Sequence, residues 1–235
     1  MDMEKLRKLN ILGADNQVYN VIKDSIVTLR LKPNQYLNIR KISQQLGTSI
    51  TPVRSALQRL ANEGLVIAKP RIGFFVSGID ENQVKNLFAV RKSLELLALE
   101  NSINRIDSEA ISEIILKLRS ALNDPEKTVS SPPYDLDYKL HDLIISSYPN
   151  PYLHRMFSQL FSLITRARNV IRVCLPPSEK EWILREAQQH LEVSEQIFMR
   201  NLSKARESLD RHIEASCEMI CKLLKEIESK GEMSL

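Results

Sequence analysis

The chain carries four histidines, and three of them stand where a cation could use them. Within DLDYKLH, Asp137 and His141 are four residues apart, which puts a carboxylate and an imidazole on one helical face. Such a pair can share a metal or simply hydrogen-bond at a surface. His190 and His212 flank Asn201 at equal sequence distance. At Asn201 the helical pattern breaks, and Ser203 offers a new N-cap. If the chain folds back there, each histidine lies about 16 Å along its helix from the turn. Both rings then stand at one height on antiparallel neighbours. Adding the helix of Asp137 and His141 gives one carboxylate and three imidazoles. That N₃O set suits Zn²⁺, Ni²⁺, Mn²⁺ or Fe²⁺ and leaves coordination positions open. The alternative is three unrelated helix histidines. His154 follows Asn150-Pro151 and fits no such set; it reads as a structural or surface residue.

Two further pairs have helical spacing. Arg91 and Glu95, in AVRKSLELLALE, lie four apart on a mostly apolar helix. The arginine is placed either to bind a carboxylate ligand in the helical core or to form an intrahelical ion pair. Cys217 and Cys221 are also four apart, and core packing accounts for them. With Cys174 they make three cysteines, few and odd in number, which suits buried thiols in a reducing cytoplasm.

The elements that must carry these residues follow from periodicity. Residues 15–30 place Val18, Val21, Ile22, Ile26 and Leu29 at helical spacing, with Asp15 as an N-cap. Pro33-Asn34 then turns the chain, and a short helix follows over 39–46 with Ile42 and Leu46 inward. In TSITPVRSALQRLANEGLV, Ser49 stands at an N-cap and Pro52 in the first turn. Val53, Ala56, Leu57 and Leu60 form the buried stripe, and Gly64 ends the helix. Residues 65–69 and 73–76 read as two strands joined by PRIG. Residues 1–78 are therefore expected to form a winged helix-turn-helix, with the third helix as the recognition helix. Its stripe holds it to the core and leaves Ser49, Ile50, Thr51, Arg54 and Ser55 facing out. Short polar groups at a helix N-terminus can meet phosphates, and Arg54 can reach a guanine edge or a phosphate.

Charge supports this division. Residues 1–78 hold 12 Lys and Arg against 5 Asp and Glu, a net of +7, whereas residues 79–235 hold 21 against 24, a net of −3. A basic small segment joined to a mildly acidic larger one points to a polyanionic partner for the first. Residues 79–235 show spacing of three and four throughout, in about six helices over 80–104, 107–123, 134–147, 151–174, 178–200 and 203–230. The expected fold is mainly α: an N-terminal winged helix-turn-helix and a C-terminal all-helical antiparallel bundle. No apolar run is long enough to cross a membrane, and MDMEKLRKLN lacks the apolar core of a secretory peptide.

The segment from VIKDSIVTLRLKPNQYLNIR through TPVRSALQRLANEGLV to GFFV resembles the winged helix-turn-helix of GntR-type bacterial transcription regulators. The remainder resembles the FadR-like branch with its helical FCD domain, in which AVRKSLE, DLDYKLHDLIISSYPNPYL and the helices of His190 and His212 fall in the expected order. The resemblance implies a divalent metal held by Asp137, His141, His190 and His212. It also implies DNA contacts from Arg40, Ser49, Thr51 and Arg54, with Gly73 at the wing tip. Ile50 departs from the family, which has arginine after the N-cap serine; an apolar side chain can meet a thymine methyl but cannot grip guanine. Asn34 replaces the usual turn glycine, and asparagine tolerates the left-handed conformation.

The function implied is a cytoplasmic, homodimeric, ligand-responsive regulator that binds a roughly palindromic operator in double-stranded DNA. A small carboxylate effector, a sugar acid or organic acid, would complete the metal's coordination and meet Arg91, with repression relieved on binding. Two alternatives differ in class. One is a metal-dependent enzyme of the helical domain. The other is a DNA-binding regulator with a purely structural metal.

Overall fold

Helix α1 (Ala14–Val27) exists because Val18, Ile22 and Ile26 recur at its inner face and are buried. The computed structural model describes residues 14–229, and this helix begins at its first described residue. Asp15 lies within the first turn rather than at an N-cap, and Val21 turns to solvent at 48% exposure. The helix stops short of residue 30, because Leu29 adopts φ 61° and buries its side chain. After the Pro33-Asn34 turn, where Asn34 is left-handed at φ 62°, come β1 (Tyr36–Leu37), α2 (Ile39–Gln45) and α3 (Ile50–Asn62). Ile42 and Leu46 are half-buried, and Ser43 is the buried residue of α2.

Helix α3 buries Pro52, Val53, Ala56, Leu57 and Leu60 and packs on α1. Ser49 occupies its N-cap position, yet the hydroxyl makes no capping bond. Its C-terminus closes with two backbone bonds, Leu65 N–H to the Leu60 carbonyl and Gly64 N–H to the Ala61 carbonyl. That pattern needs a left-handed residue after the cap, and Gly64 supplies it at φ 76°.

Strands β2 (Val66–Lys69) and β3 (Gly73–Val76) form the wing, in register from Val66 opposite Val76 to Lys69 opposite Gly73. The sheet has three strands in the order β1-β3-β2, all antiparallel. Strand β1 escapes sequence reading because two residues show no alternation. Gly73 opens β3 at φ 138°, and a Cβ there would lie 2.8 Å from Tyr36 Cε2. Two penalties coincide: a backbone conformation that residues with a Cβ rarely adopt and a clash with a ring packed on β3. Gly73→Ala is therefore expected to cost about 1–3 kcal/mol. Chemical denaturation of the full chain, with Gly78→Ala as the control, tests it; equal midpoints would refute it.

The chain divides between Ile79 and Asp80 into two units. The second contains α4 (Glu81–Ser102), α5 (Ser108–Leu122), α6 (Pro125–Ser130), α7 (Tyr134–Ser147) and α8 (Pro151–Cys174). After a 3₁₀ turn at Pro177–Glu179 follow α9 (Glu181–Phe198) and α10 (Leu202–Ser229). The sequence predicts about six helices here, and the structure adds α6. Asp124-Pro125 reads as a break, but Asp124 caps the Lys127 N–H and Pro125 takes the first helical position, where no N–H is needed. Pro176 and Pro177 confine the start of the next segment to a 3₁₀ turn, so α9 begins at 181 rather than 178.

The breaks elsewhere act as caps. Asp80, Asp107 and Asn150 each accept backbone N–H bonds at the start of their helices. Between α9 and α10 the cap is Asn201, whose Oδ1 accepts from Lys204 N–H, rather than Ser203. Arg200 there is left-handed at φ 54° and donates to the carbonyls of Ile103 and Ile106 and to Ser108 Oγ. The turn joining α9 to α10 is thereby fixed to the corner between α4 and α5, which sets the height of the histidines above it.

Candidate metal centre and nucleic-acid interface

Four helices meet in the second unit. Helix α7 presents Asp137 in its first turn, where the helix dipole favours a carboxylate, and His141 one turn later. Helix α9 presents His190 and α10 presents His212; the centroids of these two rings are 4.3 Å apart. One donor atom from each of Asp137, His141, His190 and His212 lies within 4.8 Å of every other. Asp137 Oδ1 is 2.9 Å from His190 Nε2 and 3.3 Å from His141 Nε2, while the Nε2 atoms of His141 and His212 are 3.2 Å apart. At metal–nitrogen lengths of about 2.1 Å, neighbouring ligand atoms stand roughly 3.0–3.4 Å apart, so this spacing fits a single small cation.

The far sides of the rings are also held. Glu95 on α4 pairs with His141 Nδ1, and Gln189 Oε1 lies 3.4 Å from His212 Nδ1. A carboxylate or amide behind a ligating imidazole fixes its orientation and leaves Nε2 as the outward donor. Glu95 is fully buried and takes a second bond from Arg91 Nε at 2.7 Å. The sequence leaves Arg91 either a ligand group or half of an ion pair, and the geometry allows both. Nε serves Glu95, while Nη1 is buried without a partner.

Burial pushes the Glu95 carboxyl up, but His141 and Arg91 outweigh it and leave it below its ordinary value. Burial likewise acts against ionised Asp137; Arg168 and the hydrogen bonds from His141 and His190 reverse this and hold it well below the usual range. His190 is pushed down to about 4 by burial, against Asp137, and His212 falls well below its ordinary value through burial and the neighbouring histidines. His141 alone is raised, because Glu95 outweighs the burial that would lower it.

Sequence reading misses two members of this site. Arg168 on α8 bridges Asp137 and Glu186, the latter at 2.7 Å. Glu186, on α9 one turn before His190, is pushed up to about 7 by burial, with Arg168 opposing. A cavity of about 120 Å³ opens beside these groups. Arg91, Asp137, His141, Arg168, Arg172 and Glu186 contribute its polar wall, and Tyr134, Phe157, Phe161 and Ile164 its apolar one. His154 lies apart and contacts the Ile145 carbonyl. Cys217 is half-buried and Cys221 buried.

In the first unit, Ile50, Thr51, Arg54 and Ser55 are exposed along one face of α3, with Ser49 at its start. Arg40, at the start of α2, is exposed as well. Arg59 is tied to Asn16 and stacked on Tyr19, but Arg40 and Arg54 enter no ion pair among the described residues. Gly73 opens β3 opposite Lys69, the last pair before the turn, and so stands at the tip end of the wing. The tip is Pro70-Arg71, with Arg71 left-handed at φ 62° and exposed, and Ile72 is 63% exposed. The RIG segment signals a cation at the wing turn.

Residues 14–76 match the model of the bacterial regulatory proteins of the gntR family, and residues 86–215 match the FCD domain. Among curated relatives, the HTH-type transcriptional regulator YdhC of Bacillus subtilis is 27% identical over 215 residues, covering 89% of this chain and 92% of its own. The HTH-type transcriptional repressor RspR of Escherichia coli is 22% identical over 213 residues, 91% of each chain. Among solved structures, E. coli McbR/YncC superposes with a TM-score of 0.71 at 19% identity, over 90% of this chain and 99% of that one. The chain belongs to the GntR family of bacterial regulatory proteins, as a member with an FCD domain. It is a DNA-binding transcription regulator and not an enzyme, which removes the metalloenzyme alternative.

Proposed function

We propose that the regulator belongs to the FadR-like subgroup, binds a divalent cation through Asp137, His141, His190 and His212, and responds to a small carboxylate that enters the adjoining cavity. The observation that carries this is a set of four convergent donors, two of which, Asp137 and His141, line the same cavity as Arg91, whose Nη1 has no partner. A bound cation supplies a Lewis-acidic anchor for an anionic ligand. Arg91 adds a guanidinium already oriented by Glu95, so little side-chain order is lost when a carboxylate arrives. The donor set accommodates Zn²⁺, Ni²⁺, Mn²⁺ or Fe²⁺.

The regulator acts as a homodimer on a two-fold operator, with Arg40, Ser49, Ile50, Thr51 and Arg54 against the DNA and the wing beside them. The chain acts as a repressor, the role that its relative RspR is named for, and effector binding weakens its hold on the operator. Among the described residues no helix is long and apolar enough to cross a membrane, which fits a site of action at DNA.

The test uses metal-loaded full-length protein and a DNA fragment selected from the host genome. Fluorescence anisotropy is followed across a panel of short-chain carboxylic acids. At least one acid is expected to shift operator affinity about tenfold or more, within the usual range of allosteric coupling. An unchanged affinity, together with an unchanged melting temperature across the panel, favours the purely structural metal instead.

A further inference from the structure

We propose that the effector is a short-chain dianion, such as a dicarboxylic acid, held between Arg91 and Arg172. The inference rests on reading the cavity as the effector site and adds the charge and shape of its occupant.

Three guanidiniums line this cavity, and they are not equivalent. Arg168 is consumed by Asp137 and Glu186. Arg91 is 1% exposed and keeps Nη1 free beside the metal ligands. Arg172 sits one turn beyond Arg168 on α8, exposed at the rim. Its guanidinium lies 4.7 Å from the centroid of the Tyr134 ring and joins no ion pair among the described residues. Stacking on an aromatic face orients the group without spending its hydrogen bonds. A cation so held at the mouth, and a second one buried with a free donor, are two anion sites on one cavity.

The lining between them decides what joins the two anions. Phe157, Phe161, Ile164 and Ile171 make an apolar stretch that suits a hydrocarbon spacer, while Thr165 and Asn169 on the same lining could meet a polar substituent on it. The volume of about 120 Å³ suits a short spacer between the two guanidiniums. Charge balance points the same way. Glu95, Asp137 and Glu186 at most offset Arg91, Arg168 and Arg172. A divalent cation then adds positive charge that no side chain neutralises. A dianion removes that excess, whereas a monoanion leaves half of it in a partly desolvated site.

Isothermal titration calorimetry on the metal-loaded full-length protein tests this. Malonate, succinate and glutarate are compared with propionate and butyrate. At least one diacid is expected to bind about tenfold or more tightly than every monoacid, through an added charge-assisted contact. Arg172→Gln, at an exposed position, should lower diacid affinity far more than monoacid affinity and so erase that margin. Arg172→Lys should restore part of it. Monoacids binding as tightly as diacids, or a margin that survives Arg172→Gln, overturn the dianion and leave the carboxylate site standing. Failure of both classes to bind overturns the dianion together with the effector reading beneath it.

Discussion

Full-length wild type is expected to purify with, or take up, about one divalent ion per chain, and His190→Ala to lose it. The reason lies in how the ligands are arranged. His190 Nε2 and Asp137 Oδ1 are already 2.9 Å apart, and the latter is 3.3 Å from His141 Nε2. Removing one imidazole leaves a three-point site and a buried aspartate with fewer partners. Elemental mass spectrometry on tag-free protein reads the occupancy. Linkage supplies an independent readout. At free metal one hundred times Kd, binding stabilises the native state by about 2.7 kcal/mol, and this increment should vanish in the variant. Glu95→Gln keeps all four ligands but weakens both the support behind His141 and the pairing with Arg91, so its metal affinity should fall by about 10–100-fold without being abolished. His190→Gln serves where the alanine variant folds poorly. No uptake by wild type from Zn²⁺, Ni²⁺, Mn²⁺ or Fe²⁺ would sink the metal site, and the cluster would then be an ionic network centred on Arg168.

How much of this was legible in the sequence depends on how local each feature is. The helix of Asp137 and His141 declares itself through a four-residue spacing. The α9–α10 hairpin does so through a break at Asn201 halfway between two histidines. Both signals live within one or two elements. Arg168 and Glu186 are different, since their partners come from other helices and only packing reveals them. A signal was nonetheless present. Arg168 falls on the same helical face as Phe161, Ile164 and Ile171, and Glu186 on that of Trp182, Ile183 and His190. A charge inside an apolar stripe must find a partner or a ligand. In the first unit the third helix was clear from its stripe and its terminal glycine. The two-residue β1 was not, and with it the packing of Tyr36 that leaves no room for a Cβ at Gly73. Side chains that answer to their neighbours along one helix can be read in advance. Those that answer to a third element show only as a charge inside an apolar stripe, with the partner left unnamed.

The recognition helix separates two roles that one residue often combines, and paired variants should show it. Arg54 is exposed on α3 and enters no ion pair among the described residues. Its release to DNA therefore breaks nothing in the protein. Arg54→Ala is expected to weaken operator binding by about 1–3 kcal/mol, roughly fivefold to more than a hundredfold, at fixed salt. If the contact is to phosphate, the loss should be shared by unrelated DNA, and the slope of log affinity against log salt should fall by about one. If the contact is to a guanine edge, the loss should be confined to the operator. Ile50 is the contrasting position. It is 42% exposed at the first residue of α3. A thymine methyl would cover it, and no other base offers that group in the major groove. Ile50→Arg should then shift the preferred base at one operator position from thymine toward guanine, seen by selection from random DNA, and steepen the salt dependence through the added charge. An unchanged preference would place Ile50 over the sugar–phosphate backbone. Unchanged affinity in Arg54→Ala would move the reading surface off the N-terminal face of α3 altogether, toward the wing and its exposed Arg71.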